Sequence, residues 1–296
     1  MPQPRLAFVT NIRDEPVFLP LWVGHYEKIV PRAHLFVIVD GMDDVLPPSV
    51  AGVQVIRMPK GAAKPGWEDE RWRMITAFVN ALHERFDVVV MNDVDEFLIA
   101  DPECGTPLAE ALAEAVQVGV ISPFAVDVIH RVDLEPAALR PDQPILRQRR
   151  HVRVHSAYCK PCIIARPVRL SPGGHQSDFP TLHLSRKLFL FHLRAMDRDM
   201  MVARQAKRRQ MVTDPEGRIT EGIAGAGWNL GDAEIDAYLA KFIERRAPEA
   251  GDFAFDWQRA RIESVWQRDR ATGFWQHGMI RNWRPYVIPD RFLDLL

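Results

Sequence analysis

Apolar and polar positions in the first half of the chain follow a strand–helix rhythm. Leu6 to Thr10 is a short apolar strand. From Glu15 to Val30, Phe18, Leu19, Trp22, Val23, Tyr26 and Ile29 recur at helical spacing. His34 to Val39 predicts a second strand ending at Asp40-Gly41, and Val53 to Arg57 a third. The glycine- and proline-punctuated loop KGAAKPGW follows, and then Trp72, Ile75, Val79, Leu82 and Phe86 mark the core face of a helix. That helix leads into Val88–Leu98, VVVMNDVDEFL, an apolar strand ending in closely spaced carboxylates. The rhythm predicts an α/β fold, a layered sheet flanked by helices, with its binding crevice at the carboxyl ends of the strands. Thr10, Asn11, Asp40, Asp93 and Asp95 all fall at such ends.

Further on, Pro107 to Val116 predicts a helix and Gly119 to Pro123 a strand. The pattern is β-like from Arg147 to Pro167 and is followed by the polar loop SPGGHQSDFP. Helical stretches then run from Asp197 to Val212, from Asp232 to Arg246, and from near Phe255. The expected division is an α/β domain over 1–195 with a helical C-terminal subdomain over 196–296 packed on it. Trp257, Trp266, Trp275 and Trp283 are expected to serve that packing.

Composition is that of an ordinary globular protein, 47% hydrophobic and 26% charged over 296 residues. A formal net charge of −1 gives no global field for nucleic acid. Basic character is local, in Arg147–His155 (RQRRHVRVH) and Arg204–Gln210 (RQAKRRQ). Such runs are ordinarily solvated faces; the second also suits an anionic partner or a membrane surface. The N-terminus has no secretory pattern, and no apolar run nears the roughly 18 residues that span a bilayer. The expected location is cytoplasmic, with peripheral contact at the inner face of the membrane. Three cysteines, Cys104, Cys159 and Cys162, are too few for a disulfide scaffold. Cys159-Lys160-Pro161-Cys162 reads as structural thiols, with a zinc site or redox pair as the alternative.

If the strand continues through the acidic box, Asp93 and Asp95 share a side, because strand side chains repeat every two residues. Two such carboxylates repel, and a hard cation such as Mn²⁺ or Mg²⁺ relieves the repulsion through oxygen ligands. The plainer alternative is an acidic turn, Asp93, Asp95 and Glu96, ending the strand in solvent.

The order of these elements resembles the GT-A glycosyltransferases. The start TNIRDEPVFLPLWVGHY, the DVDEFL box, CKP, a glycine–histidine loop and FHLR are similar to a bacterial family 2-like group, over roughly residues 5–200. The resemblance implies a GT-A, Rossmann-like mixed sheet and a metal-dependent transfer of a sugar from a nucleotide-diphosphate donor to an acceptor hydroxyl. It further implies inversion, and cell-surface polysaccharide synthesis as the setting. By that likeness Thr10, Asn11, Glu15 and Asp40 hold the nucleoside of a UDP- or GDP-sugar. Asp93 and Asp95 hold the metal and the ribose-phosphate end, and His175 completes the metal shell. His192 suits a hydrogen-bonded core role at least as well as ligation. The acceptor is a carbohydrate, a lipid-linked intermediate or a protein.

Breaking a sugar–phosphate bond leaves a diphosphate, whose charge must be stabilised. Lys64, Arg71 or Arg73 would assist a metal there. The acceptor hydroxyl needs a general base, for which Asp178 and Asp127 are the candidates. Two rivals share these residues. A haloacid-dehalogenase-type phosphatase also uses Asp-x-Asp after a strand, with Gly231–Asp236 mimicking its later acidic motif; yet Asn92 precedes Asp93, and Asp232 looks like a helix N-cap. A non-catalytic sugar- or zinc-binding module would use the CxxC pair, the histidines and the tryptophans.

Overall fold

The structure, a computed structural model, describes residues 3–61, 64–213, 218, 230–244, 247–280 and 283–296. Its first half is β1 (Leu6–Ile12), α1 (Phe18–Tyr26), β2 (Leu35–Asp40), β3 (Gln54–Met58), α2 (Trp67–Leu82), β4 (Val88–Met91) and β5 (Glu96–Ala100). The middle carries the short helices α3 (Leu108–Ala113) and α4 (Ala115–Val118), then β6 (Val120–Ile129), α5 (Ile145–Gln148), β7 (His151–Val154) and β8 (Ile163–Ile164). The long β9 (Leu184–Ala195) precedes α6 (Arg198–Val212) and α7 (Asp232–Glu244). Last come β10 (Glu249–Ala250), α8 (Asp256–Ser264), β11 (Gln267–Arg268), β12 (Trp275–Gln276) and β13 (Tyr286–Val287).

The fold is a mixed α/β sheet flanked by helices. Strands β3, β2, β1 and β4 are neighbours and parallel. Beyond β4 the sheet continues through β8, β6 and β7 in antiparallel steps, while β9 lies parallel to β6 and carries β5 on its other side. Alternation along the central strands feeds two cores. Leu6, Phe8, Val88 and Val90 join the larger one with α1, whereas Ala7, Val9, Val89 and Met91 face Trp72, Ile75 and Val79 of α2. Burial on both faces is why these strands read as continuous apolar runs. On α1, Phe18, Leu19, Trp22, Val23 and Tyr26 are all buried, each contributing about 1.5–3 kcal/mol of burial energy.

Three sequence expectations shift. The helix expected from Glu15 begins at Phe18, because the Glu15 carboxylate accepts from the Val17 and Phe18 amides and so closes the turn before it. The strand expected over Gly119–Pro123 runs on to Ile129, with Pro123 at a register shift against β9, where a missing N–H is tolerated. The C-terminal hundred residues are not wholly helical: β10 and β13 extend the main sheet beyond β7. Phe253, Phe255, Ile262 and Phe292 enter the main core, while Met201, Ile235, Leu239 and Phe242 pack α6 and α7 onto Ile129. The glycine-rich segment before Gly231, and the Arg246 end of the expected second helix, lie outside the described residues.

Candidate functional site

A cleft of about 760 Å³ opens at the carboxyl ends of β1 and β4, walled by α6 on one side and by the start of α2 and the Pro172–His175 loop on the other. Its formation begins with a turn that the sequence pattern hides. β4 stops at Met91, and the Glu96 amide donates to the Asp93 carbonyl at 3.0 Å. The buried Asn92 amide locks this turn by donating to the Glu96 carbonyl and to the Tyr26 hydroxyl. The strand therefore does not continue through the acidic box, and Asp93 and Asp95 meet different cations.

Asp93 meets Lys160. The ammonium is 1% exposed and lies 3.0 Å from Asp93 Oδ2 and 2.8 Å from Glu96 Oε2, and it also donates to the Gly173 carbonyl. Burial works against the Lys160 charge, but the two carboxylates outweigh it and raise its pKa. Glu96 is fully buried, and that burial, with Asp93 beside it, pushes its carboxyl up to about 7 against the pull of Lys160. Asp93 itself is 38% exposed and faces the cleft.

Asp95 meets Arg204 of α6, whose Nη1 donates to Oδ2 at 2.7 Å while Nη2 lies 3.0 Å from Glu15. Burial opposes the Asp95 charge, yet Arg204 and His192 hold its carboxyl well below the usual range. His192 sits in a row across four strands. Glu96, His192, Asp127 and Arg153 are successive register partners on β5, β9, β6 and β7, so all four share one face of the sheet. His192 Nδ1 is 2.8 Å from Asp127 Oδ1, and Arg153 and His155 share the other Asp127 oxygen. Although burial would lower it, these carboxylate bonds raise the His192 pKa to about 9, so His192 is an imidazolium at neutral pH. Tyr158 packs on that ring at 4.0 Å between centroids.

The structure brings Asn11, Glu15, Arg71, Asp93, Asp95 and His175 together in the cleft wall. The Asn11 carboxamide donates to the Ile38 carbonyl and accepts from Arg71. Arg71 and Arg13 flank the Trp67 ring at 4.9 and 5.7 Å, making an aromatic–guanidinium wall at the β1 end. Other candidates lie elsewhere. Thr10 is buried inside β1. Asp40 stands behind the wall, spent on Arg13 and on the Gly61 amide. Lys64 pairs with Glu70 in solvent. Arg73 and Asp178 share a separate shallow depression on α2, where Asp178 accepts from the Arg169 amide. Asp127 is enclosed behind His192, with Arg153 and His155 as its other partners. Neither base candidate therefore reaches the cleft with an open oxygen.

The proposed metal set does not fit a preformed site. Asp93 is engaged by Lys160 and Asp95 by Arg204, while His175 directs Nδ1 to the Ala157 carbonyl. The His175 edge opens to the cleft, but the protein packed around it and the Lys160 charge depress its pKa to about 4. Among the described residues no group of three or more His, Cys, Asp or Glu side chains is arranged to hold a metal ion.

Sequence reasoning missed Lys160, and its signal was present: one lysine inside the otherwise apolar SAYCKPCIIA. A cation there must find a carboxylate if the segment is buried. The flanking Cys159 and Cys162 are free and buried, and burial pushes the Cys159 thiol up to about 12. Both pack in the larger core. The acids of Gly231–Asp236 lie on α7, where Asp232 and Asp236 pair with Arg209 and Arg198 rather than line the cleft.

No protein-family model matches the chain, and no curated protein does. Among solved structures the chain is similar to the crystal structure of mannose-1-phosphate geranyltransferase from Thermus thermophilus, at 13% identity and a TM-score of 0.27. That match covers 69% of this chain and spans about 61% of the length of the other. No helix among the described residues is long and apolar enough to cross a membrane.

Proposed function

We propose that this protein is a glycosyltransferase of the GT-A type, moving a sugar from a nucleotide-diphosphate donor, UDP- or GDP-linked, to the hydroxyl of a carbohydrate or lipid-linked acceptor. The observation that carries the reading is the cleft at the carboxyl ends of parallel β1 and β4. Asn11, Arg71 and Trp67 line it with Asp93 and with guanidinium groups of β9 and α6. The Trp67 wall suits a nucleoside, with the Asn11 and Arg71 polar groups beside it.

In this reading the bond between the anomeric carbon and the diphosphate oxygen breaks, the acceptor oxygen bonds to that carbon, and the acceptor proton passes to a carboxylate. Asp93 is the more exposed of the two box aspartates in the cleft, and we assign it that proton in place of Asp127 and Asp178. Lys160 and Glu96 fix its position from below. A single displacement, and hence inversion, needs no second carboxylate nucleophile.

The test is turnover of UDP- and GDP-sugars, read as acceptor-independent hydrolysis, together with nucleotide binding. Asp93→Asn is expected to lower turnover by about 10²–10⁴-fold while nucleotide affinity stays near wild type. Release of phosphate from generic phosphoesters, with no nucleotide binding, would favour the phosphatase instead.

A further inference from the structure

His175 is exposed, yet its ring is held in one orientation. Nδ1 lies 2.7 Å from the Ala157 carbonyl, and because a carbonyl only accepts, the ring proton sits on Nδ1. A neutral imidazole has one N–H, so Nε2 keeps its lone pair as an acceptor. Tyr158 meets the ring edge-on at 5.6 Å between centroids. The loop beneath the ring is pinned on three sides: Lys160 donates to the Gly173 carbonyl at 3.3 Å, Gly174 lies against the Trp72 indole, and the Gln176 carboxamide donates to Gln276 of β12. Gly173 keeps the space beside Nε2 open. A Cβ there would fall 2.5 Å from Cδ2 and 2.7 Å from Nε2 of His175, and the φ of +74° at Gly173 itself favours glycine. Asp93, Tyr158, Gly173 and His175 all line the cleft. One ammonium spans from Asp93 to this loop, since Lys160 also lies 3.0 Å from Asp93 Oδ2.

We propose that His175 is a specificity residue of the donor site, its Nε2 accepting a hydrogen bond from a hydroxyl of the donor sugar held beside Asp93. The inference rests on the nucleotide-sugar reading above and adds what recognises the sugar apart from its nucleotide. Charge decides between a hydroxyl and a cation at Nε2. Burial and then the Lys160 ammonium oppose positive charge on this ring, with His192 adding to them and Asp93 pulling the other way without prevailing. What opposes a proton at Nε2 opposes a metal ion there as well, whereas a hydroxyl brings a donor hydrogen and no net charge. The held ring suits such a contact, because its orientation costs no further ordering when the sugar arrives.

The experiment is calorimetric titration of the full chain with UDP, GDP, UDP-glucose, UDP-galactose, UDP-N-acetylglucosamine and GDP-mannose, with Mn²⁺ and separately in EDTA. His175→Phe keeps a ring and loses the lone pair. It should weaken the nucleotide sugar that wild type binds best by about three- to tenfold and leave the matching bare nucleotide within about twofold, which also reports an intact fold. His175→Gln, which carries an acceptor oxygen at similar reach, should fall between. Among the monodeoxy analogues of that sugar, the one lacking the contacted hydroxyl should bind wild type and His175→Phe alike. Unchanged affinity of His175→Phe for every nucleotide sugar would overturn the inference, and so would an equal loss of sugar and bare nucleotide confined to Mn²⁺, the mark of a metal ligand. Both of those results leave the nucleotide reading standing. Failure of every nucleotide to bind wild type under either condition would overturn that reading itself, and this inference with it.

Discussion

Two basic runs look alike in the sequence and have opposite fates. Arg147–His155 runs from the end of α5 into β7, which is buried along its whole length: Arg149 bonds Asp197 at 2.7 Å, and Arg153 bonds Asp127 within the four-strand row. The outward members, Arg147 and Arg150, pair with Asp294 and Asp290 in solvent. Arg204–Gln210 lies on α6, where residues three and four apart share a face, and that face is the cleft wall. One run is a structural clamp and the other lines the cleft. A basic run is thus not one kind of object; the elements it joins and what packs on them decide which of its charges are buried, solvated or turned to a cleft.

The contrast is sharpest at Arg153. Arg153→Met leaves Asp127 short of its strongest counter-ion inside the sheet, and should cost about 3–5 kcal/mol of unfolding free energy in urea denaturation. Wild-type stability in that variant would break the distinction between the two runs. His192 joins the two systems, because it touches Asp127 on one side and Asp95 on the other. Its pKa is raised to about 9 from an ordinary 6.5, so its stabilisation is complete below about pH 6.5 and is lost as pH rises through about 9. Urea midpoints from pH 6 to 10 should therefore decline in wild type through that window and stay flatter in His192→Gln. The smallest effect belongs to Arg147→Ala, whose partner Asp294 is equally exposed; its denaturation midpoint should match wild type.

Much of the fold was legible because it is local. Phe18, Trp22 and Tyr26 at helical spacing, and the alternation that sends Phe8 and Val9 to different cores, need no long-range knowledge. The position of the cleft was legible too, since Asn11, Asp93 and Asp95 sit at strand ends whatever their partners. What was not legible is the turn at Asn92, which depends on a hydroxyl 66 residues away on Tyr26. At that turn each aspartate meets its own cation, Lys160 for Asp93 and Arg204 for Asp95. Asp127, which stood out as a base on sequence grounds, is hidden by cross-strand register that no single strand reveals. Asp178 sits near the histidine loop in sequence, but its carboxylate turns to the Arg169 amide on another surface.

The sequence by itself determined the strand and helix order, the two-faced burial of the central strands and the acidic edge where the cleft lies. Those properties follow from side-chain periodicity and turn chemistry within a few residues. Only the tertiary structure decided which charges cancel. Lys160 reaches Asp93 across 67 residues and Arg204 reaches Asp95 across 109, and in a buried setting a carboxylate's chemistry belongs to its nearest cation more than to its sequence neighbours.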